Sequence, residues 1–129
     1  MELLVDLAWL LERQALLMPH ELDVADYSAL AAAVQRHRVN TPRIGYEPDN
    51  AWRAAALLVT IAREEPLPAR NSFFAALAAV EYMARAGEPV EPPRGALPDL
   101  LRRVRTYGVD VYATAESLRA WRVRPPHRG

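Results

Sequence analysis

The residue types best suited to chemistry lie together in Glu65-Pro66-Leu67-Pro68-Ala69-Arg70-Asn71-Ser72, a short proline-broken loop between two apolar helical patterns. Glu65 is a candidate acid or base, although an ordinary Glu has a pKa of about 4.3 and is already ionised at neutral pH. Arg70 carries a planar guanidinium fork that matches the oxygens of a phosphate or carboxylate. Asn71 and Ser72 stand where a new helix begins, and the first N–H groups of a helix have no partners within it. Such an end attracts anions by about 0.3–1 kcal/mol when exposed and up to about 2 kcal/mol in favourable geometry. Arg70, Asn71 and Ser72 are therefore the candidate anion-binding residues.

Composition removes many other chemistries. Cysteine is absent, which excludes a disulfide framework, a thiolate metal site and a Cys nucleophile. All sixteen basic residues are Arg, so a Schiff-base lysine and a P-loop lysine are excluded too. Sixteen acidic residues balance them, and no global charge drives the chain to nucleic acid or membrane. His20, His37 and His127 lack metal-ligand spacing. No metal or cofactor is therefore expected. No apolar run reaches the roughly 20 residues of a membrane span, and Met1-Glu2-Leu3-Leu4-Val5-Asp6 has no basic segment of the kind that opens a signal peptide. The expected location is the cytoplasm.

The elements that position the loop are read from periodicity and punctuation. Leu3, Leu7, Leu10 and Leu11 predict a helix from Glu2 to about Leu17, stopped by Pro19. Asp23 or Asp26 caps a second, Ala-rich helix over about 25–36. Residues 40–50 hold two prolines and a glycine, and Ile44 and Tyr46 alternate as in a short strand or flap. Asp49 or Asn50 caps a helix over 51–64, which Pro66 and Pro68 end. Asn71 is the expected N-cap of a helix over 72–86, apolar nearly all round and so expected to be the central, buried one, with Gly87 at its end. Helices over about 97–107, carrying Arg102, Arg103 and Arg105, and about 113–122 complete the chain. The expectation is a single all-α domain of about six helices over 1–123, with a possible small β-hairpin flap and a disordered tail over 124–129.

This order of elements resembles the Fic/Doc family, whose signature reads roughly His-Pro-Phe-x-Asp-Gly-Asn-Lys/Arg-Arg. The resemblance runs over about residues 40–121. Ile44-Gly45-Tyr46 takes the place of the flap, and Ala55-Ala56-Leu57-Leu58-Val59-Thr60-Ile61-Ala62-Arg63 that of the helix before the signature loop. The long helix then closes at Ala84-Arg85-Ala86-Gly87. The frame is kept, but the reactive residues are replaced. The family's proton-accepting histidine falls on Glu65, its loop-anchoring aromatic on Leu67 and its magnesium-binding acid on Ala69. Its small phosphate-approach residue falls on Arg70, and its two phosphate-holding basic residues fall on Ser72 and Phe73. Pro66 and Asn71 match.

Each loss has a physical consequence. Phosphoryl or nucleotidyl transfer depends on positioning and charge neutralisation. Ala69 gives Mg²⁺ no oxygen ligand, and neither Ser72 nor Phe73 supplies a cation. Phe73 and Phe74 read as core filling or as a filled pocket. The resemblance thus implies a degenerate family member without the transfer reaction, more a binding protein than an enzyme. It would be the toxin-like half of a bacterial toxin–antitoxin-type pair, with an antitoxin-like peptide lying over a groove between the flap (Ile44, Gly45, Tyr46) and the Asn71 helix end. Two other expectations differ in class. One is a rebuilt enzyme that holds a nucleotide or other phosphate compound at Arg70 and Asn71, with Glu65 as acid or base. The other is a helical scaffold whose function lies on the Arg102–Arg105 side.

Overall fold

A computed structural model describes residues 3–123, and these form six helices and no strand. They are α1 Leu7–Leu17, α2 Tyr27–Arg38, α3 Asn50–Glu64, α4 Asn71–Arg85, α5 Ala96–Arg105 and α6 Val111–Ala120. The all-α expectation is met. His127 and the tail over 124–129 lie outside the described residues. No helix among those described is long and apolar enough to cross a membrane.

The central helix is α3, not α4. Every residue from Ala51 to Ala62 is buried, and α3 packs against α2, α4, α5 and α6. Its alanines let neighbouring helices approach closely, while Leu57, Leu58 and Ile61 fill the space between them at zero exposure. Even its polar residues are enclosed: Arg53 is buried and donates from Nη1 to the His37 carbonyl of α2. Helix α4 instead buries one face through Phe74, Ala75, Ala78, Tyr82 and Met83, and shows Phe73, Ala84 and Arg85 to solvent. Its apolar residues outnumber its buried ones because Phe73 sits on the outer side.

The first helix starts later than its leucine pattern suggests. Asp6 caps it by accepting from the Trp9 N–H at 2.9 Å. The residues before Asp6 run extended, because their backbone is used elsewhere. His37 Nε2 accepts from Val5 N–H at 3.0 Å, Arg38 Nε donates to the Val5 carbonyl at 2.9 Å, and the Tyr82 hydroxyl donates to the Leu3 carbonyl at 2.5 Å. His37, wholly buried, completes its ring with an Nδ1 bond of 3.1 Å to the Arg53 carbonyl. It is a core histidine that ties the N-terminal segment to α2 and α3.

Residues 41–49 form no strand. Tyr46 N–H closes a turn on the Arg43 carbonyl at 3.1 Å, and Thr41 Oγ1 donates to the Tyr46 carbonyl at 2.7 Å. Among the described residues, one bridge outside the helices pairs Val90 with Arg122.

Asp49 holds the start of α3, accepting from the Trp52 N–H at 2.8 Å. Arg119 of α6 binds the same carboxylate through Nε at 2.8 Å and Nη2 at 3.0 Å, and Nη2 also reaches the Tyr46 hydroxyl at 3.0 Å. Partial burial would raise the Asp49 pKa, but the Arg119 and Trp52 hydrogen bonds outweigh it and hold the carboxyl below its ordinary value. A carboxyl depressed by folding adds stability above its unfolded pKa and loses it as pH falls through the folded value. Asp49→Asn keeps a capping side chain and deletes the charge. The expected loss at neutral pH is about 0.5–1 kcal/mol, the scale of a partly exposed pair. Urea unfolding at about pH 7 and about pH 3 should show that loss shrink in acid; an equal loss at both would exclude the charge pair as its cause.

Candidate functional site

The loop of Glu65 to Arg70 is fixed from three directions. Pro66 and Leu67 are buried. The Pro66 carbonyl accepts from Ala25 N–H at 2.8 Å and from Asp26 N–H at 3.0 Å, which pins the loop to the start of α2. Asn71 then clasps it from below, with Oδ1 accepting from Leu67 N–H at 2.8 Å and Nδ2 donating to the Leu67 carbonyl at 2.9 Å.

This overturns the expectation that Asn71 caps α4. Asn71 is the first helical residue, and Arg70 precedes it as a cap without a side-chain hydrogen bond. The Asn71 amide serves the buried backbone of Leu67 instead. The start of α4 is consequently left open, facing a cleft of about 280 Å³ lined by Glu65, Arg70, Asn71, Ser72 and Arg105 among others.

Arg70 does not reach into that cleft as a free phosphate fork. Its Nη1 pairs with Glu21 Oε1 at 2.8 Å, and its guanidinium lies 4.2 Å from the centre of the Phe73 ring. Phe73 therefore fills no pocket; it is 41% exposed and carries Arg70 on its face. Phe74, at zero exposure, is the core residue of the two.

A second cleft of about 500 Å³ adjoins the first, sharing Glu65 and Arg105 and adding Arg63, Arg102 and Tyr107. The arginine cluster of α5 and the 65–72 loop thus belong to one surface. Arg63 is anchored there: Nε donates to the Val104 carbonyl at 3.0 Å, Nη2 to the Val109 carbonyl at 2.5 Å, and the guanidinium stacks 4.4 Å from the Tyr107 ring centre. Arg102 and Arg103 both pair with Asp99. Arg105 and Glu65 form no ion pair among the described residues.

The backbone singles out this surface. Among the described residues, the non-glycines with positive φ are Glu65 (49°), Arg70 (59°) and Tyr107 (61°), and all three line these clefts. Left-handed backbone costs an L-residue on the order of 1–2 kcal/mol. Comparison with α4 shows what the chain does when nothing else is required. There Gly87 takes the left-handed position, its N–H bonding the Ala84 carbonyl and Glu88 N–H bonding that of Met83. Helix α5 ends with the same pair of bonds, from Tyr107 to Val104 and from Gly108 to Arg103, but with Tyr107 in the glycine's place. Glu65 also ends α3 in left-handed backbone, with a single bond from its N–H to the Ile61 carbonyl. Strained non-glycine positions gather at functional sites because the side chain there is wanted.

The flap residues lie elsewhere. Tyr46 packs edge-on to Tyr112 at 4.9 Å and meets Arg119 beside Asp49, at the N-terminal end of α3. Glu65 ends the opposite end, about 22 Å away for a helix of 15 residues. Ile44, at the turn's tip, is fully exposed beside Gly45 at φ 80°. The structure therefore gathers Glu65, Arg70, Asn71 and Ser72, and leaves Tyr46 at the far end of α3. It adds Arg63, Arg105 and Tyr107, which sequence reading had not joined to the loop. No protein-family model matches the chain, and no curated protein matches it.

Two substitutions separate scaffold from surface. Asn71→Ala removes both loop clasps and is expected to lower stability by about 2 kcal/mol, roughly 1 kcal/mol per bond. Glu65→Gly relieves a left-handed residue, offset by about 0.5–1 kcal/mol of glycine entropy, and should raise stability by up to about 1 kcal/mol. Denaturant melts of both would check the opposite signs; a destabilised Glu65→Gly would mean that the Glu65 side chain supports the fold.

Proposed function

We propose that this chain is a catalytically degenerate Fic/Doc-like protein that acts as a protein-binding module, the toxin-like component of a bacterial toxin–antitoxin-type pair. The observation that carries the proposal is the convergence of Glu65, Arg70 and Tyr107, all in left-handed backbone, on one surface rich in arginine and exposed aromatic rings. Arg and Tyr dominate the energetics of protein recognition sites. The helix–loop–helix frame around a clasped Asn71 agrees with the family resemblance, and the groups at the signature positions do not form a reaction centre. Among the described residues the Glu65 side chain forms no hydrogen bond or ion pair that would orient it, and a general base must be positioned within reach of the proton it takes. Arg70 is already paired with Glu21.

A second reading, an enzyme holding a nucleotide or other phosphate with Glu65 as acid or base, draws on the open start of α4. The negative charge of Glu65 in the same cleft opposes it. Calorimetry with Mg²⁺-ATP and Mg²⁺-GTP decides between them. The binding-module reading expects no nucleotide heat. It also expects a protein captured from bacterial extract to form a stoichiometric complex once purified, slowing amide exchange over 65–72. Micromolar nucleotide binding abolished by Arg70→Ala would overturn it in favour of the enzyme.

A further inference from the structure

We propose that the paired clefts around Glu65 and Arg105 are a docking surface for an acidic protein segment, and that Arg105 and Tyr107 are its principal contacts. The inference rests on the protein-binding reading and adds the chemistry of the partner and the side of the molecule it covers. The lining of the clefts carries four guanidinium groups, those of Arg63, Arg70, Arg102 and Arg105, against the Glu65 carboxylate. Glu21 and Asp99 outside the lining offset Arg70 and Arg102, which leaves Arg63 and Arg105 as the positive excess. This imbalance is local, since the whole chain is neutral. Three of the four are already employed: Arg63 on the Val104 and Val109 carbonyls, Arg70 on Glu21 and Arg102 on Asp99. Arg105, which lines both clefts, forms no ion pair among the described residues, so a carboxylate arriving there displaces nothing.

Tyr107 supplies the apolar part. It is 70% exposed, unusual for so large a ring, and its left-handed backbone and its stacking with Arg63 hold it at the cleft edge. A fixed aromatic beside a free guanidinium matches a segment that alternates carboxylates with apolar side chains. Nucleic acid fits less well, because its charge repeats at every phosphate and one must face the Glu65 carboxylate shared by the two clefts, where an alternating segment can set an apolar side chain instead.

The probe is a fluorescently labelled peptide of alternating Glu and Leu, titrated with the full chain at low salt and followed by anisotropy. Arg94→Glu, which makes the same charge change at an exposed residue before the start of α5, is the control. Binding should weaken at least about tenfold in Arg105→Glu, remain unchanged in Arg94→Glu, and fall with added salt. Tyr107→Gly should also weaken binding while leaving the melting temperature unchanged or higher. Failure of the peptide to bind, or an equal loss in Arg94→Glu, would overturn the proposal. So would tighter binding of a single-stranded oligonucleotide than of the peptide, or a Tyr107→Gly variant of full affinity. The broader reading falls separately, on nucleotide binding. If a purified partner binds Arg105→Glu as well as it binds the parent chain, only the present surface is refuted.

Discussion

Burial of α3 on every side is the constraint on which the rest of the structure depends. With Ala51 to Ala62 all enclosed, no lateral face of this helix is open to a ligand. It meets solvent only at its ends, and each end needs its own solution for the backbone groups left unpaired there. At the start, Asp49 takes the Trp52 N–H and is itself held by Arg119, which draws α6 and the 41–49 turn onto the helix. At the other end, Glu65 turns the chain in left-handed backbone, and the loop is immediately tied to α2 and clasped by Asn71. The side chains displayed at that end are therefore fixed by the core, though they themselves are exposed.

The same physics explains the placement of the chain's strained residues. Helix ends commonly place a glycine in the left-handed position because a Cβ is unfavourable there. This chain follows the rule at Gly87, and the bonds that close α5 have the same pattern with Tyr107 substituted. A fold selected for stability alone would favour glycine at both ends. The cost at Glu65, Arg70 and Tyr107 is accepted on one surface, and there each side chain faces a cleft or stacks on another residue.

Much of the fold was legible because it depends on local rules. Asp26 and Asp49 cap the helices their positions suggest, Pro66 follows the end of α3, and Gly87 ends α4. Where reading failed, a tertiary partner had overridden a local preference. Asn71 has the chemistry of an N-cap, yet its amide serves Leu67, whose buried backbone has the greater need. Leu3 fits a helical stripe, but Tyr82 takes its carbonyl, and His37 and Arg38 take the backbone groups of Val5. The apolar content of α4 suggested a central helix, and only the packing shows that the small residues of α3 admit neighbours on more sides. The site was half legible for the same reason. Glu65 to Ser72 are contiguous, whereas Arg105 and Tyr107 join them through the packing of α5 on α3, which no spacing in the sequence encodes.

Arg70 shows why this loop is poorly arranged to stabilise a transferring phosphate. A group that stabilises a transferring phosphate must stay free until charge develops, and must be aimed at that charge in advance. Arg70 instead spans from the loop to Glu21 on the α1–α2 connection and lies on Phe73, so both its charge and its face are used within the fold. Bringing it to a phosphate would break an ion pair and unstack a ring for a single new contact. Arg105 carries no such obligation, and from the end of α5 it lines both clefts, with Tyr107 in one and the start of α4 in the other. Among the described residues, the one cleft-lining arginine without such a commitment therefore lies next to an aromatic anchor. That arrangement favours a partner with an extended surface over a small anion held at a helix end.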